Sequence, residues 1–286
     1  WRQQVTTQQT TILSLDIAQD GRIYAGGIGE VGYFAPDSNG QLVHHDLTDK
    51  IARDKNLSHV WMTYVADGGV YFESHEALFF YRDDKFTYFE PEERYIGIYN
   101  IDNSIWGVDD SRKIYRYKDG KQEVEIDASI LDYSVISIEK FTQDEVLFVM
   151  NEGEHFIYDH RNKKLREFNS ELVSQYPESG PYRAITLQNG NFWVALTTGG
   201  LIEVNHEGDI LRNYTEHDGI LSGNINAMFE DREHNLWLST NKGISMVEYG
   251  SPITRLSEGE DYSGVSNSVE YYNGHLYLGT DEGVYR

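Results

Sequence analysis

The sequence predicts an all-β fold: a seven-bladed β-propeller of four-stranded antiparallel blades, its ring closed by the N-terminal strand. Three observations carry that expectation. A unit of blade length recurs seven times, turn-forming residues stand where each unit needs a hairpin, and no long helical pattern interrupts the series.

The repeat is an apolar strand, a Gly/Asn/Asp turn and a short second strand centred on an aromatic residue. Aligned second-strand positions are Ile23, Val70, Ile105, Leu147, Phe192, Leu236 and Leu276, with steps of 47, 35, 42, 45, 44 and 40 residues. The mean step is about 42, inside the range of roughly 40–45 for four-stranded propeller blades. Ahead of these strands sit turns such as Asp20-Gly21, Asp102-Asn103, Asn189-Gly190 and Asn273-Gly274, whose residues tolerate positive φ and so select tight hairpins. A second series, including Asp37-Ser38-Asn39-Gly40, Lys118-Asp119-Gly120 and Tyr249-Gly250-Ser251-Pro252, closes the third-to-fourth-strand hairpins. The blades are placed at about 12–47, 58–91, 95–127, 134–169, 181–215, 223–257 and 265–286 of one domain spanning 1–286. The last stops at Gly283-Val284-Tyr285-Arg286 without a fourth strand, so residues 1–10, around Gln3 to Thr7, are expected to complete it and close the ring; an open or eight-bladed ring is the alternative. Leu47 to Asn56 and Ser170 to Tyr176 are each long enough for a helical turn between blades. Stacked sheets bury both faces, which makes Trp106, Trp193 and Trp237 inter-blade core.

Composition narrows function. The 286 residues carry a net charge of −23, with no Cys. Disulfide frameworks, thiolate metal sites and cysteine nucleophiles are excluded. The charge disfavours nucleic acid or an anionic bilayer as partner. No apolar run approaches the ~18 residues of a membrane helix, so a membrane is reached only through segments outside this chain. A chain beginning at Trp1 is read as an excised or processed fragment.

The sequence from Asn224 to Ile244, with Glu230-Asp231 before a turn and Leu236-Trp237-Leu238-Ser239-Thr240 after it, strongly resembles the repeat of the two-component-regulator propeller family. His275 to Val284 resembles a second copy, Phe192 to Leu201 a looser third, and Gly26 to Tyr33 the first blade often seen in such sensors. Val135 to Phe168 departs from the pattern, lacking the Trp and the Gly-Thr step. The resemblance implies the periplasmic or extracellular sensor region of a bacterial inner-membrane signalling protein, its output a histidine kinase, a hybrid kinase with a transcription regulator or a diguanylate cyclase. It also implies a second propeller or a homodimer as partner.

No catalytic motif, metal pair, phosphate loop or calcium loop stands out, so no catalytic residue, metal or cofactor is expected and this chain reads as non-enzymatic. Thr215-Glu216-His217-Asp218 and Glu152-Gly153-Glu154-His155 read as solvated turns. Binding fits better, because one face gathers the second-to-third-strand loops and the blade-to-blade loops around a channel. On that face Arg112, Arg183, Lys242, His75 and Tyr182 are the candidate contacts to a polar extracytoplasmic ligand such as an oligosaccharide. Equally weighted is a solvated face with the signal read at a dimer or inter-propeller surface. The alternative functions are a secreted propeller hydrolase or lyase acting on polysaccharide and, more weakly, a WD-repeat-like scaffold.

Overall fold

The computed structural model describes residues 11–127, 131, 133–250 and 262–286. Within them the chain forms seven antiparallel sheets, five of four strands and two of three. Hydrogen-bonded neighbours are always neighbours in sequence, so every sheet is a meander. Each aligned position falls in the second strand of its own sheet: Ile23–Gly27, Gly69–Ser74, Ser104–Asp109, Glu145–Met150, Phe192–Leu196, Leu236–Thr240 and His275–Thr280. The hairpin residues adopt the backbone their chemistry allows, with positive φ at Asp67, Asp102, Asn103, Asn273 and Gly190. The expected fourth strand of blade six after Gly250 and the closing segment 1–10 lie outside the described residues.

Both inter-blade helical turns form, as a 3₁₀ turn at Thr48–Lys50 and a short α-helix at Glu171–Gln175 capped by the Ser170 side chain. A second 3₁₀ turn, Glu216–Asp218, occupies the stretch read as a solvated turn. Thr215 and Asp218 close a reciprocal capping box there, which supplies partners for the orphan amides of the turn.

The chain divides into two compact units, Trp1–Thr198 with Ile202–Arg212, and Gly199–Leu201 with Asn213–Arg286. In the first unit the opening strands of blades one to five (Ile12–Ile17, Met62–Ala66, Tyr95–Ile101, Val135–Lys140 and Pro181–Thr186) run side by side in chain order. Between successive blades lie separate apolar cores. Tyr24, Val31 and Leu47 meet Val60, Phe72 and Phe79; Tyr71, Leu78 and Phe80 meet Ile98, Ile105 and Tyr117. Trp106 and Ile114 then meet Ile138 and Phe148, and Leu147, Val149 and Ile157 meet Phe192, Val194 and Ile202. Approach is close: a Cβ on Gly26 would stand 2.2 Å from Val60 Cγ1 of the next blade. Two carboxylates clamp neighbouring first strands, Asp16 accepting from the Val65 amide at 2.7 Å and Glu139 from the Thr186 amide at 2.8 Å.

The second unit holds blade six (Ile225–Glu230, Leu236–Thr240, Gly243–Val247) and blade seven (Ser266–Tyr272, His275–Thr280, Val284–Tyr285). Here one expectation changes. Trp106 and Trp193 are buried core, whereas Trp237 is 40% exposed. Its indole N–H donates to Asp231 at 2.7 Å, so it serves the turn before its strand and not an apolar core.

Candidate functional site

The opening strands position the site. In six of the seven sheets the first strand carries a register shift where it enters the sheet, opposite the end of the second strand. Such a bulge inserts an unpaired residue and re-aims its neighbours. In blade five the extra residue is Tyr182, between Pro181 and Arg183, so these two candidates lie inside a strand and not in a connecting loop. Tyr182 is half exposed, and the Arg183 guanidinium sits 5.6 Å from its ring centroid.

Arg183 lies on the opening strand of blade five and is partly buried. Its Nε is buried without a hydrogen-bond partner, and among the described residues no carboxylate lies within ion-pair distance of it. Its positive charge acts on Tyr64 of blade two and Tyr99 of blade three. Burial pushes the Tyr64 phenol above its ordinary range; Glu139 adds to the rise and Arg183 opposes it. Tyr99 is raised likewise, by burial first and then by Tyr64, again against Arg183. Both phenols therefore stay protonated donors. Tyr99 donates to the Ile136 carbonyl at 2.7 Å and folds back over Gly97, where a Cβ would stand 2.8 Å from its hydroxyl. Glu139 is raised by burial, with its oxygens engaged by Ser137 at 2.6 Å and the Thr186 amide.

His75 lies in the second-to-third-strand turn of blade two. Its Nδ1 is 3.2 Å from Oε1 of the buried Glu73, and that hydrogen bond raises the imidazole pKa against the effect of burial. Burial raises Glu73, and His75 opposes the rise. The exposed Trp61 stands between two imidazoles, stacked at 5.5 Å on His59 and 5.7 Å on His75. Trp61 sits directly before its first strand, a position the sequence reading passed over.

The five expected contacts do not form one cluster. Tyr182 and Arg183 adjoin. His75 stands apart from them, paired with Glu73 and stacked on Trp61. Arg112 has positive φ, and its Nη1 donates to the Leu131 carbonyl, which ties the side chain to the connection after its blade. Lys242, in the second unit, pairs with Glu216 at 3.0 Å. Tyr64 and Tyr99 were legible as a pair, since they are 35 residues apart, the same step that separates Val70 from Ile105.

Residues 219–242 match the sequence profile of the two component regulator propeller family. Asp231 explains the most visible part of that repeat. It accepts from the amides of Glu233 at 3.0 Å and Asn235 at 2.8 Å and from the Trp237 indole, and chiefly through Trp237 its pKa is lowered to about 2. No curated protein sequence matches the chain. Among solved structures, an extracellular domain assigned to the hybrid two component system BT3049 from B. thetaiotaomicron aligns with TM-score 0.62 at 15% identity. The alignment covers 96% of this chain and 39% of that one. One assigned to the one component system BT4673 of the same organism aligns with TM-score 0.55 at 16% identity, over 98% and 44%. Virginiamycin B lyase from Staphylococcus aureus aligns with TM-score 0.60 at 14% identity, over 98% and 95%. At these identities the likeness establishes the propeller fold. The chain spans less than half of either extracellular domain.

Proposed function

We propose that this chain is a non-enzymatic sensor domain on the periplasmic or extracellular side of a bacterial inner-membrane signalling protein. The observation that carries the reading is the two component regulator propeller repeat at residues 219–242. The fold shared with two extracellular signalling domains supports it. On this reading the seven blades form one domain and residues 1–10 supply the outer strand of blade seven, closing the ring. An extracytoplasmic ligand, an oligosaccharide by class, binds on the face of the first unit that carries Arg183, Tyr182 and His75. The signal passes through a second propeller or a homodimer to a histidine kinase or diguanylate cyclase. A ligand transmits only what it binds differently in two states. The test is the rest of the gene: a membrane helix followed by a kinase or cyclase module upholds the sensor, and a free-standing secreted chain overturns it. Ring closure is tested by removing residues 1–8, which lowers the melting temperature by about 5–10 °C if the strand closes the ring. An unchanged melting temperature refutes closure.

A second reading, a secreted propeller hydrolase or lyase acting on polysaccharide, draws on the near full-length fold likeness to virginiamycin B lyase. The His75–Glu73 pair is the group it would use, as a general base. Turnover of a polysaccharide by the purified chain, lost in His75→Ala, would establish it.

A further inference from the structure

The loop end of blade two joins three blades around one buried carboxylate. Glu73 is 1% exposed, and among the described residues its carboxylate has one hydrogen-bond partner, His75, whose Nδ1 lies 3.2 Å from Oε1. The backbone around this pair is shared between blades. The His75 carbonyl accepts from the amide of Tyr95, the first residue of blade three's opening strand, at 2.6 Å. The Glu73 carbonyl accepts from the Trp61 amide at 2.9 Å. Ser58 donates its hydroxyl to Glu76 at 2.7 Å, and its carbonyl takes the Gly29 amide of blade one at 2.7 Å. The Val60 amide donates to the Gly27 carbonyl, also of blade one, at 3.0 Å. The His75 ring stacks on the exposed Trp61, which stacks in turn on His59.

A carboxylate buried this deeply is tolerated while an imidazolium meets it, and loss of the proton leaves the charge against a neutral ring. The hydrogen bond to Glu73 raises the His75 pKa, and burial raises that of Glu73, so the pair holds a proton more firmly than its groups do in water. Of the other charges near the imidazole, Glu76 favours its protonation and Arg94, paired with Asp110, opposes it. The phenols of Tyr64, Tyr95 and Tyr99, on which the Glu73 charge acts, are kept protonated by burial. A raised folded-state value fixes the sign. The His75 contribution to the fold is present below the ordinary 6.5 and is lost as pH rises through the folded value.

We propose that Glu73, His75 and Trp61 form a proton-operated latch at the loop ends of blades one, two and three. Protonated, the pair holds the Ser58-to-Trp61 segment and the start of blade three against the turn of blade two; deprotonated, it releases them. The latch goes beyond the sensor reading and does not depend on it.

The experiment follows the whole chain from pH 5 to pH 9 by histidine proton NMR, tryptophan emission and amide exchange, with circular dichroism to establish that each variant is folded. The His75 resonance, assigned by its loss in His75→Gln, titrates with a midpoint above 6.5, and in Glu73→Gln the midpoint falls to about 6.5 or below. A charged imidazole quenches indole emission. Trp61 emission, taken as the difference from Trp61→Phe in a His59→Gln background, therefore rises at the His75 midpoint. Through the same midpoint the Tyr95 amide exchanges about tenfold faster than its intrinsic rate accounts for, the equivalent of a lost charged hydrogen bond, while amides in blade five keep their protection. A His75 midpoint indifferent to Glu73→Gln, or Trp61 emission and Tyr95 exchange that stay flat through it, overturns the latch. If Glu73→Gln does not fold, His75→Gln carries the test: it abolishes the pH response of Trp61 emission and Tyr95 exchange, and a response that survives overturns the latch equally. None of these measurements uses a signalling output, so the sensor reading stands or falls separately.

Discussion

The two units invert the usual relation between motif and core. Blades four and five have the plainer sequences, yet their second strands are buried along almost their whole length, Val146 to Met150 in one and Phe192–Leu196 in the other. Blade six carries the recognisable repeat, and its second strand alternates buried and exposed residues, while the first strand of blade seven is exposed throughout. The repeat is therefore chiefly a turn device. Asp231 gathers two amides, the Asn235 side chain and the Trp237 indole, which sets the hairpin register whatever covers the sheet. Burial in the first unit follows instead from the apolar neighbour on each side. The lesson is that a motif can mark a blade without marking its stability.

Core truncation gives the largest separation between the units. Trp193→Ala in the first unit removes a fully buried side chain and is expected to cost about 3–5 kcal/mol in denaturant unfolding. Trp237→Ala in the second is expected to cost less than half of that. Equal losses would break the contrast. Next comes pH. His155 in blade four is buried, and burial alone lowers its pKa to about 4 from the ordinary 6.5. A folded-state pKa depressed in this way favours the fold above pH 6.5, and the contribution is lost as pH falls through 4. The loss is about 3 kcal/mol when complete. Unfolding at pH 7, 5 and 4 should show it, with a shallower dependence in His155→Asn; parallel curves would refute it.

Smaller is the inter-blade clamp. Glu139→Ala leaves the Thr186 amide without its acceptor and should cost about 1–3 kcal/mol, sharpening the view that blade-to-blade contact stabilises the first unit. Asp231→Ala should act locally, speeding hydrogen exchange at Glu233 and Asn235 while exchange in blades one to five stays unchanged. Spread of the effect into those blades would count against a turn device. Lys242→Ala, which breaks an exposed pair, should leave the melting temperature where it is.

The sequence by itself determined the blade count of seven, the seven second strands and the hairpins, because these rest on local signals. Alternating apolar residues and Gly, Asn and Asp at positive φ act within a few residues of one another. The helical turns at Thr48–Lys50 and Glu171–Gln175 were legible for the same reason. Lys242 was legible as a cation but not as a committed one, since the strand order around Glu216 decides its partner. Tertiary structure alone decided that Trp237 anchors a turn while Trp193 fills a core, for both stand in similar strings and differ only in what packs beside them. It also decided that the Arg183 Nε is buried without a partner while Arg112 and Lys242 are engaged by Leu131 and Glu216. Hydrogen bonds and ion pairs join side chains across space, and a local strand pattern does not say which residues the fold brings together.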